Sequence, residues 1–193
     1  MANKVRFGLK NVHYAPVTET VQEDGSIEST YGTVKPWIGA VNLSLSPEGS
    51  SETFYADDYA FYASENNAGY SGSIETAGVP DDMLVEIYGM IKDAVSKNVA
   101  EFADVTSKYM AILFEISGDQ SARRYCFYRV KMERPAVEGE TITETKTVKT
   151  QTCNMTATPR PDDMCIKNCA DPDSTNYATW FETVPTAPAK PAA

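Results

Sequence analysis

Few side chains in this sequence are of the types that perform acid–base or covalent chemistry. His13 is the sole imidazole, and its neighbours Val12 and Tyr14 place it in a strand. A general base needs a nucleophile and an orienting partner within hydrogen-bond reach, and no residue pattern nominates either. Three adjacent acidic pairs occur, Asp57-Asp58, Asp81-Asp82 and Asp162-Asp163. Neighbours in an extended segment point to opposite faces, so no pair resembles two acids cooperating on one glycosidic bond. Asp57 with Glu65 or Asn66 offers oxygen ligands to a divalent ion. The plainer readings are a polar turn for the first pair, a helix N-terminus for the second and a solvated loop for the third. The nucleophile-elbow, phosphate-loop, zinc-protease and dinucleotide motifs do not occur.

The four cysteines add little. Cys126 and Cys153 fall in apparent strands, and only Cys165 and Cys169 form a close pair. A zinc site would have to join them to His13 from distant parts of the chain; free thiols or a Cys165–Cys169 disulfide are the simpler alternatives. The expectation is a chain that is not an enzyme, with no catalytic residue, cofactor or metal.

Charge bears on partners. The 193 residues carry 27 acidic against 17 basic side chains, a formal charge of -10. Affinity for nucleic acid comes from Lys and Arg displacing counterions from phosphates, so this surface as a whole repels DNA. Arg123, Arg124, Arg129, Lys131 and Arg134 form a local basic stripe, interleaved with Tyr125 and Phe127. In an acidic protein such a stripe suits subunit-to-subunit complementarity; a platform for single-stranded nucleic acid is the alternative. No run of about 18 apolar residues predicts a membrane span. Met1 to Lys10 lacks the apolar core of a signal peptide, so synthesis and retention in a cytosol are expected.

The elements that must position these residues are mostly strands. Eleven Tyr, seven Phe and two Trp favour β structure. Val41, Leu43 and Leu45 alternate with polar residues up to Pro47-Glu48-Gly49, and Glu52 to Ala56 is the expected hairpin partner. Tyr59 to Ser64 and Tyr70, Gly72 and Ile74 continue the pattern across Asn66-Asn67-Ala68-Gly69. The segment from Val17 to Lys35 reads as a long hairpin tip or loop. One helix is expected, opened by Pro80, Asp81 and Asp82 and carrying Met83, Leu84, Ile87, Met90, Ile91, Ala94 and Val95 at spacings of three and four, with Lys92 and Lys97 near its end. Gly89 lies in its middle, where it marks close approach to another backbone or a simply tolerated cost of roughly 1 kcal/mol in helix propensity. Met110, Ile112, Phe114 and Ile116 define one strand face; Cys126, Tyr128, Val130 and Met132 define another, the two forming a central hairpin. Thr141 to Thr158 is a Thr-rich run about three times the usual strand length. Its polar faces suit pairing between subunits or a solvent-exposed hairpin arm. Past Pro159 the apolar content falls; Tyr177, Trp180 and Phe181 are positioned to dock this stretch, and Pro185 to Ala193 reads as an extended, mobile tail.

The order of these features resembles a known family. MANKVRFGLKNVHYAPV, WIGAVNLSLSPEG, FYADDYAFYASENNAGYSGSIETAGVPDDM, KYMAILFEISGD and RRYCFYRVKMERP together resemble the major tail (tail tube) proteins of long-tailed bacteriophages of the phi13 type, across residues 1–158. The resemblance implies a mainly β fold with one α-helix, a β-sandwich or rolled sheet flanked by that helix, whose inner sheet joins those of neighbouring subunits in a ring-shaped β-barrel. It further implies a virion structural protein assembled in the host cytoplasm. The partners it implies are copies of the chain itself, in hexameric rings stacked into a tube, together with tape measure and tail terminator proteins; DNA passes through the lumen during genome ejection without specific binding, and no membrane is involved. The expected organisation is a tube domain over 1–158, an extension over 159–184 and a Pro/Ala-rich tail over 185–193. Inter-ring contacts are expected at Glu23, Asp24, Gly25, Ser26, Pro47, Glu48 and Gly49, and inter-subunit pairing at Arg123, Arg124, Thr141, Thr143, Thr145 and Thr147. The alternative from another class is a monomeric carbohydrate-binding or adhesin-like β-sandwich using Tyr residues as sugar platforms.

Overall fold

A computed structural model describes residues 8–116, 122–137, 139, 141 and 149–190. In chain order the elements are β1 (Leu9–Val21), β2 (Ile27–Tyr31), β3 (Lys35–Pro36), β4 (Ala40–Glu48), β5 (Ser51–Ala56), β6 (Tyr59–Glu65), β7 (Gly69–Thr76), α1 (Asp81–Glu86), β8 (Ile91–Lys92), β9 (Val99–Ala100), β10 (Met110–Ile116), β11 (Arg124–Met132), β12 (Gln151–Ala157) and β13 (Lys167–Ala170). The molecule is mainly β. A nine-stranded antiparallel sheet runs β2-β1-β10-β11-β12-β7-β4, with β3 added to β1 and β13 to β11, while β5–β6 and β8–β9 form separate two-stranded sheets.

The hairpin β10–β11 is central, as its alternation predicts, and it is buried on both faces. Met110, Ile112 and Phe114 enter one core with Tyr14, Trp37, Ile74 and Met83. Ala111 and Leu113 enter a second core with Ala15, Tyr128 and Trp180. The expected single apolar face of β11 is corrected by a register shift: Met110 pairs with Val130 but Ile112 with Phe127. The extra residue is a bulge. It leaves Cys126 and Tyr128 in the second core while Val130 and Met132 turn into the first.

Three expected elements are corrected. The helix spans only Asp81–Glu86. Its start matches the expectation, with Pro80 as N-cap and Asp81 and Asp82 in the first turn. Gly89, at φ 71, then reverses the chain in the left-handed conformation that commonly ends helices. A Cβ at Gly89 would lie 2.4 Å from Val105 Cγ1. Ile91, Ala94 and Val95 consequently belong to the β8–β9 hairpin, where Ile91 and Val95 face solvent.

The partner of β4 is β7, not β5, paired from Ala40↔Thr76 to Glu48↔Gly69 with one register shift between Ala40 and Asn42. Gly72 makes this pairing possible, since a Cβ there would meet the Ser44 carbonyl oxygen at 1.9 Å. β5 folds instead onto β6. The Thr-rich run is not, where it is described, a polar strand wet on both faces: β12 within it is an interior strand paired with β11 and β7, and Cys153, Met155 and Ala157 alternate into the core. Alternate Cys and Met side chains thus fill a core that the Thr content conceals. Residues 142–148 lie outside the described residues.

Beyond residue 158 the chain remains on the sheet. β13 pairs with β11 from Arg124↔Ala170 to Phe127↔Lys167. Trp180 is buried and its indole N–H donates to the Tyr125 carbonyl oxygen at 3.3 Å. The Tyr128 hydroxyl donates to the Pro185 carbonyl oxygen at 2.8 Å, which ties down the beginning of the Pro/Ala-rich tail.

Candidate interaction surface

Two hairpins project from the body. The first, β5–β6, continues the β4–β7 ladder past a neck at Gly49. The Ala68 N–H donates to the Glu48 carbonyl oxygen at 2.9 Å and the Asn66 N–H to that of Ser50 at 2.9 Å. The Ser71 hydroxyl donates to the Glu48 carboxylate. Gly49 permits the close crossing, because a Cβ there would fall 2.0 Å from the Asn66 carbonyl oxygen. Pro47, Glu48 and Gly49 therefore form the base of an arm.

At its far end Asp57 and Asp58 turn the chain, with φ of 52 and 62. Two consecutive left-handed residues make the type I′ geometry that matches the twist of paired strands. Phe54 lies opposite Tyr62, and the rings of Tyr59 and Phe61 are 6.0 Å apart. Phe54, Tyr55, Tyr59, Phe61 and Tyr62 expose between 54% and 68% of their surface. From residue 51 to 65 there are four carboxylates, Glu52, Asp57, Asp58 and Glu65, and no Lys, Arg, Pro or Gly.

The second projection is β1–β2, paired from Val17↔Tyr31 to Val21↔Ile27. Glu23, Asp24, Gly25 and Ser26 form its exposed tip. Asp24 Oδ1 accepts from the Ser26 N–H at 2.9 Å and hydroxyl at 2.6 Å, which lowers its carboxyl pKa. Glu19 anchors the hairpin through Arg129, whose guanidinium also covers the Tyr109 ring at 3.7 Å. The arm extends from the Gly69 end of β7. Pro16, Met110, Val130, Ala157, Tyr70 and Pro47 lie in one row across the sheet; β1 leaves that row toward the β1–β2 tip in the direction opposite to that in which β4 leaves it toward the arm.

The basic stripe is occupied within the chain. Arg123 makes two hydrogen bonds to Asp171, at 2.8 and 2.7 Å. Arg124 contacts Glu115 at 3.3 Å, donates to the Tyr177 carbonyl oxygen and lies over the Tyr177 and Phe181 rings. Lys131 donates to the Ser107 carbonyl oxygen, and Arg134 pairs with Glu101 at 2.8 Å. Tyr125 and Phe127 pack with Phe114 in the first core, which removes them as stacking surfaces for single-stranded nucleic acid. Thr141 is exposed outside any strand; Thr143, Thr145 and Thr147 lie outside the described residues.

The acidic pairs separate as well. Asp57 is at the tip of the arm and Glu65 at the end of seven-residue β6, roughly 20 Å away along the strand, so they cannot share an ion. Asp81 pairs with Lys92 at 3.0 Å, and Asp163 accepts from Arg160 Nε at 2.9 Å. His13 contacts the Asn11 carbonyl oxygen through Nδ1 at 2.8 Å and stacks on Phe181 at 4.8 Å. All four cysteines are free; burial pushes the Cys126 thiol pKa well up. Among the described residues, no group of three His, Cys, Asp or Glu side chains is arranged to hold a metal, and no helix is long and apolar enough to cross a membrane.

The sequence reading missed the arm as a unit because it paired Glu52–Ala56 with β4. The available signal was the Asp-Asp turn flanked on both sides by aromatic residues. Compared with models of known protein families and with curated proteins, the chain matches none.

Proposed function

We propose that this chain is a structural protein that self-assembles into stacked rings, hexameric by its resemblance to tail tube proteins of long-tailed bacteriophages, and so forms a conduit for DNA. The observation that carries the reading is the arm from Ser51 to Glu65, which presents five large aromatics to solvent. Among the described residues, β5 and β6 pair only with each other, so each has an edge without a strand partner. An exposed apolar edge without Lys or Pro is a template for association. The two projections, which run in opposite directions from one row of the sheet, support head-to-tail contacts, which close into rings or propagate as filaments.

The net charge of -10 supports the passage of DNA if the excess carboxylates face the lumen, since like charge keeps the phosphate backbone from the wall. A basic lumen in a reconstruction of the assembled tube would reject that part of the proposal. Exposed Tyr55, Tyr59 and Tyr62 favour the carbohydrate-binding alternative, because aromatic faces suit sugar rings. Negative-stain microscopy of the concentrated protein separates the two: rings or hollow filaments support the tube, whereas a persistent monomer that binds glycans supports the adhesin.

A further inference from the structure

One outer surface of the main sheet is covered and another is bare. Over β1, β10 and β11 lies the C-terminal layer, which closes the second core on Trp180. The outward side chains of β12, β7 and β4 have no such cover. Their register makes a grid, with Ser46, Ser71 and Thr156 in one row and Ser44, Ser73 and Asn154 in the next. Asn42, Glu75 and Thr152 complete a third row. The members on β4 and β12 are exposed, and those on β7 are half-buried between them. The alternate residues of the same strands, among them Leu43, Ile74 and Met155, belong to the first core, so these strands are apolar on one side and polar on the other.

The grid includes no Lys, Arg, aromatic or large apolar residue. Contacts between proteins are anchored by aromatic residues, Met and Arg and are depleted of Ser, so the face is poorly suited to burial against another copy. It is equally unsuited to holding DNA, because phosphate affinity needs Lys or Arg and base stacking needs an aromatic ring. The ionised groups that reach it are acidic. Glu75 accepts from the Thr150 hydroxyl at 2.5 Å, Glu133 from the Asn154 amide at 2.8 Å, and Glu48 from the Ser71 hydroxyl. Lys131, paired with Thr156 at the border of the grid, is drawn away to the Ser107 carbonyl oxygen and lies 4.9 Å from the centroid of the Tyr109 ring. Hydroxyls and amides edged by carboxylates hold water and repel a polyanion.

We infer that the β12–β7–β4 face is the inner wall of the conduit, past which DNA moves without being held. The inference rests on the self-assembly reading and assigns each subunit its inward side. The opposite orientation would place the C-terminal layer, described as far as Lys190, in the path of the DNA. In the inferred orientation that layer and its Pro/Ala-rich end lie on the outside, and the surface nearest the phosphates is the one without a cation.

The test uses full-length chains with Cys165→Ser and Cys169→Ser, which leave only the buried thiols of Cys126 and Cys153. Ser73→Cys or Ser44→Cys is added on the grid, and Glu182→Cys, exposed on the C-terminal layer, serves as the control. Tubes collected by sedimentation and checked by electron microscopy are treated with N-ethylmaleimide or with maleimide-activated ferritin, which is too wide to enter the bore. In tubes, the grid thiols should keep their reaction with N-ethylmaleimide and lose the reaction with ferritin that they show in the monomer, whereas Glu182→Cys should keep both. Ferritin labelling of the grid thiols in intact tubes, or its loss at Glu182→Cys as well, overturns the inference and leaves self-assembly standing. Grid thiols closed to both reagents, or failure of both grid variants to assemble with an unchanged thermal melt of the monomer, would place the face in a contact between copies and overturn the inference in the same way. A protein without grid substitutions that remains monomeric at every concentration overturns both the inference and the self-assembly reading.

Discussion

The guanidinium of Arg124 lies 3.8 Å from the centroid of the Tyr177 ring and joins central strand β11 to the C-terminal segment. The same segment buries Trp180 against Ala15, Leu113 and Tyr128. It therefore covers the outer face of the central hairpin as an integral layer. Trp180→Ala should destabilise the monomer by about 3–5 kcal/mol, measured by urea unfolding. A loss below about 0.5 kcal/mol, typical of surface substitutions, would mean that the second core does not depend on this layer.

Gly89 gives a test in which two structural readings predict opposite signs. In a continuous helix from Asp81 to Lys97, Gly89→Ala would improve helix propensity and stabilise the protein by about 1 kcal/mol. Here Gly89 has φ 71, and a Cβ would lie 2.4 Å from Val105 Cγ1. The left-handed conformation alone costs a non-glycine residue about 1–2 kcal/mol, to which the crowding adds. Gly89→Ala should therefore lower the denaturation midpoint; a higher midpoint would restore the longer helix.

The same glycine illustrates what was legible in the sequence. Pro80, Asp81 and Asp82 mark the start of α1 because capping and dipole effects are local. Ile91, Ala94 and Val95 continue the spacing of a helix yet lie in an exposed hairpin, so periodicity did not locate its end. Alternation identified β10 and β11, but the bulge between Phe127 and Val130 depends on pairing to Met110 and Ile112 and leaves no periodic signature. For β4, proximity in sequence favoured β5, whereas the structure chooses β7 across an inserted arm. The projecting segments were more legible as polar turns than as surfaces, since the exposure of Phe61 and Val95 emerges only when their strands are paired.

A pH test isolates Glu115, which is 5% exposed. Burial alone would raise its carboxyl pKa. Hydrogen bonds from Lys10, Asn11 and Arg124, together with the Lys10 charge, outweigh burial and hold it below the ordinary value. A carboxyl with a lower pKa in the folded state stabilises the fold fully above its unfolded pKa, and that contribution is lost as pH falls through the folded pKa. The denaturant midpoint should fall as pH decreases from about 5 to about 3, and Glu115→Gln should make that fall shallower. An identical slope in the variant would assign the acid sensitivity to other carboxylates.

The Asp57-Asp58 turn predicts a stability change confined to the arm. Both residues have positive φ, a conformation that Asp tolerates but Gly adopts without a Cβ penalty. Asp58→Gly retains Asp at the first turn position and relieves the second, converting the pair to a preferred type I′ sequence. Its expected effect is about 0.5–1 kcal/mol in favour of the closed hairpin, read as slower hydrogen exchange at Phe54 and Tyr62, which pair across the strands. The global melting temperature should stay constant, because β5 and β6 form a two-stranded sheet apart from the main one. A parallel slowing throughout β10 and β11 would show that the arm and the body unfold as one cooperative unit.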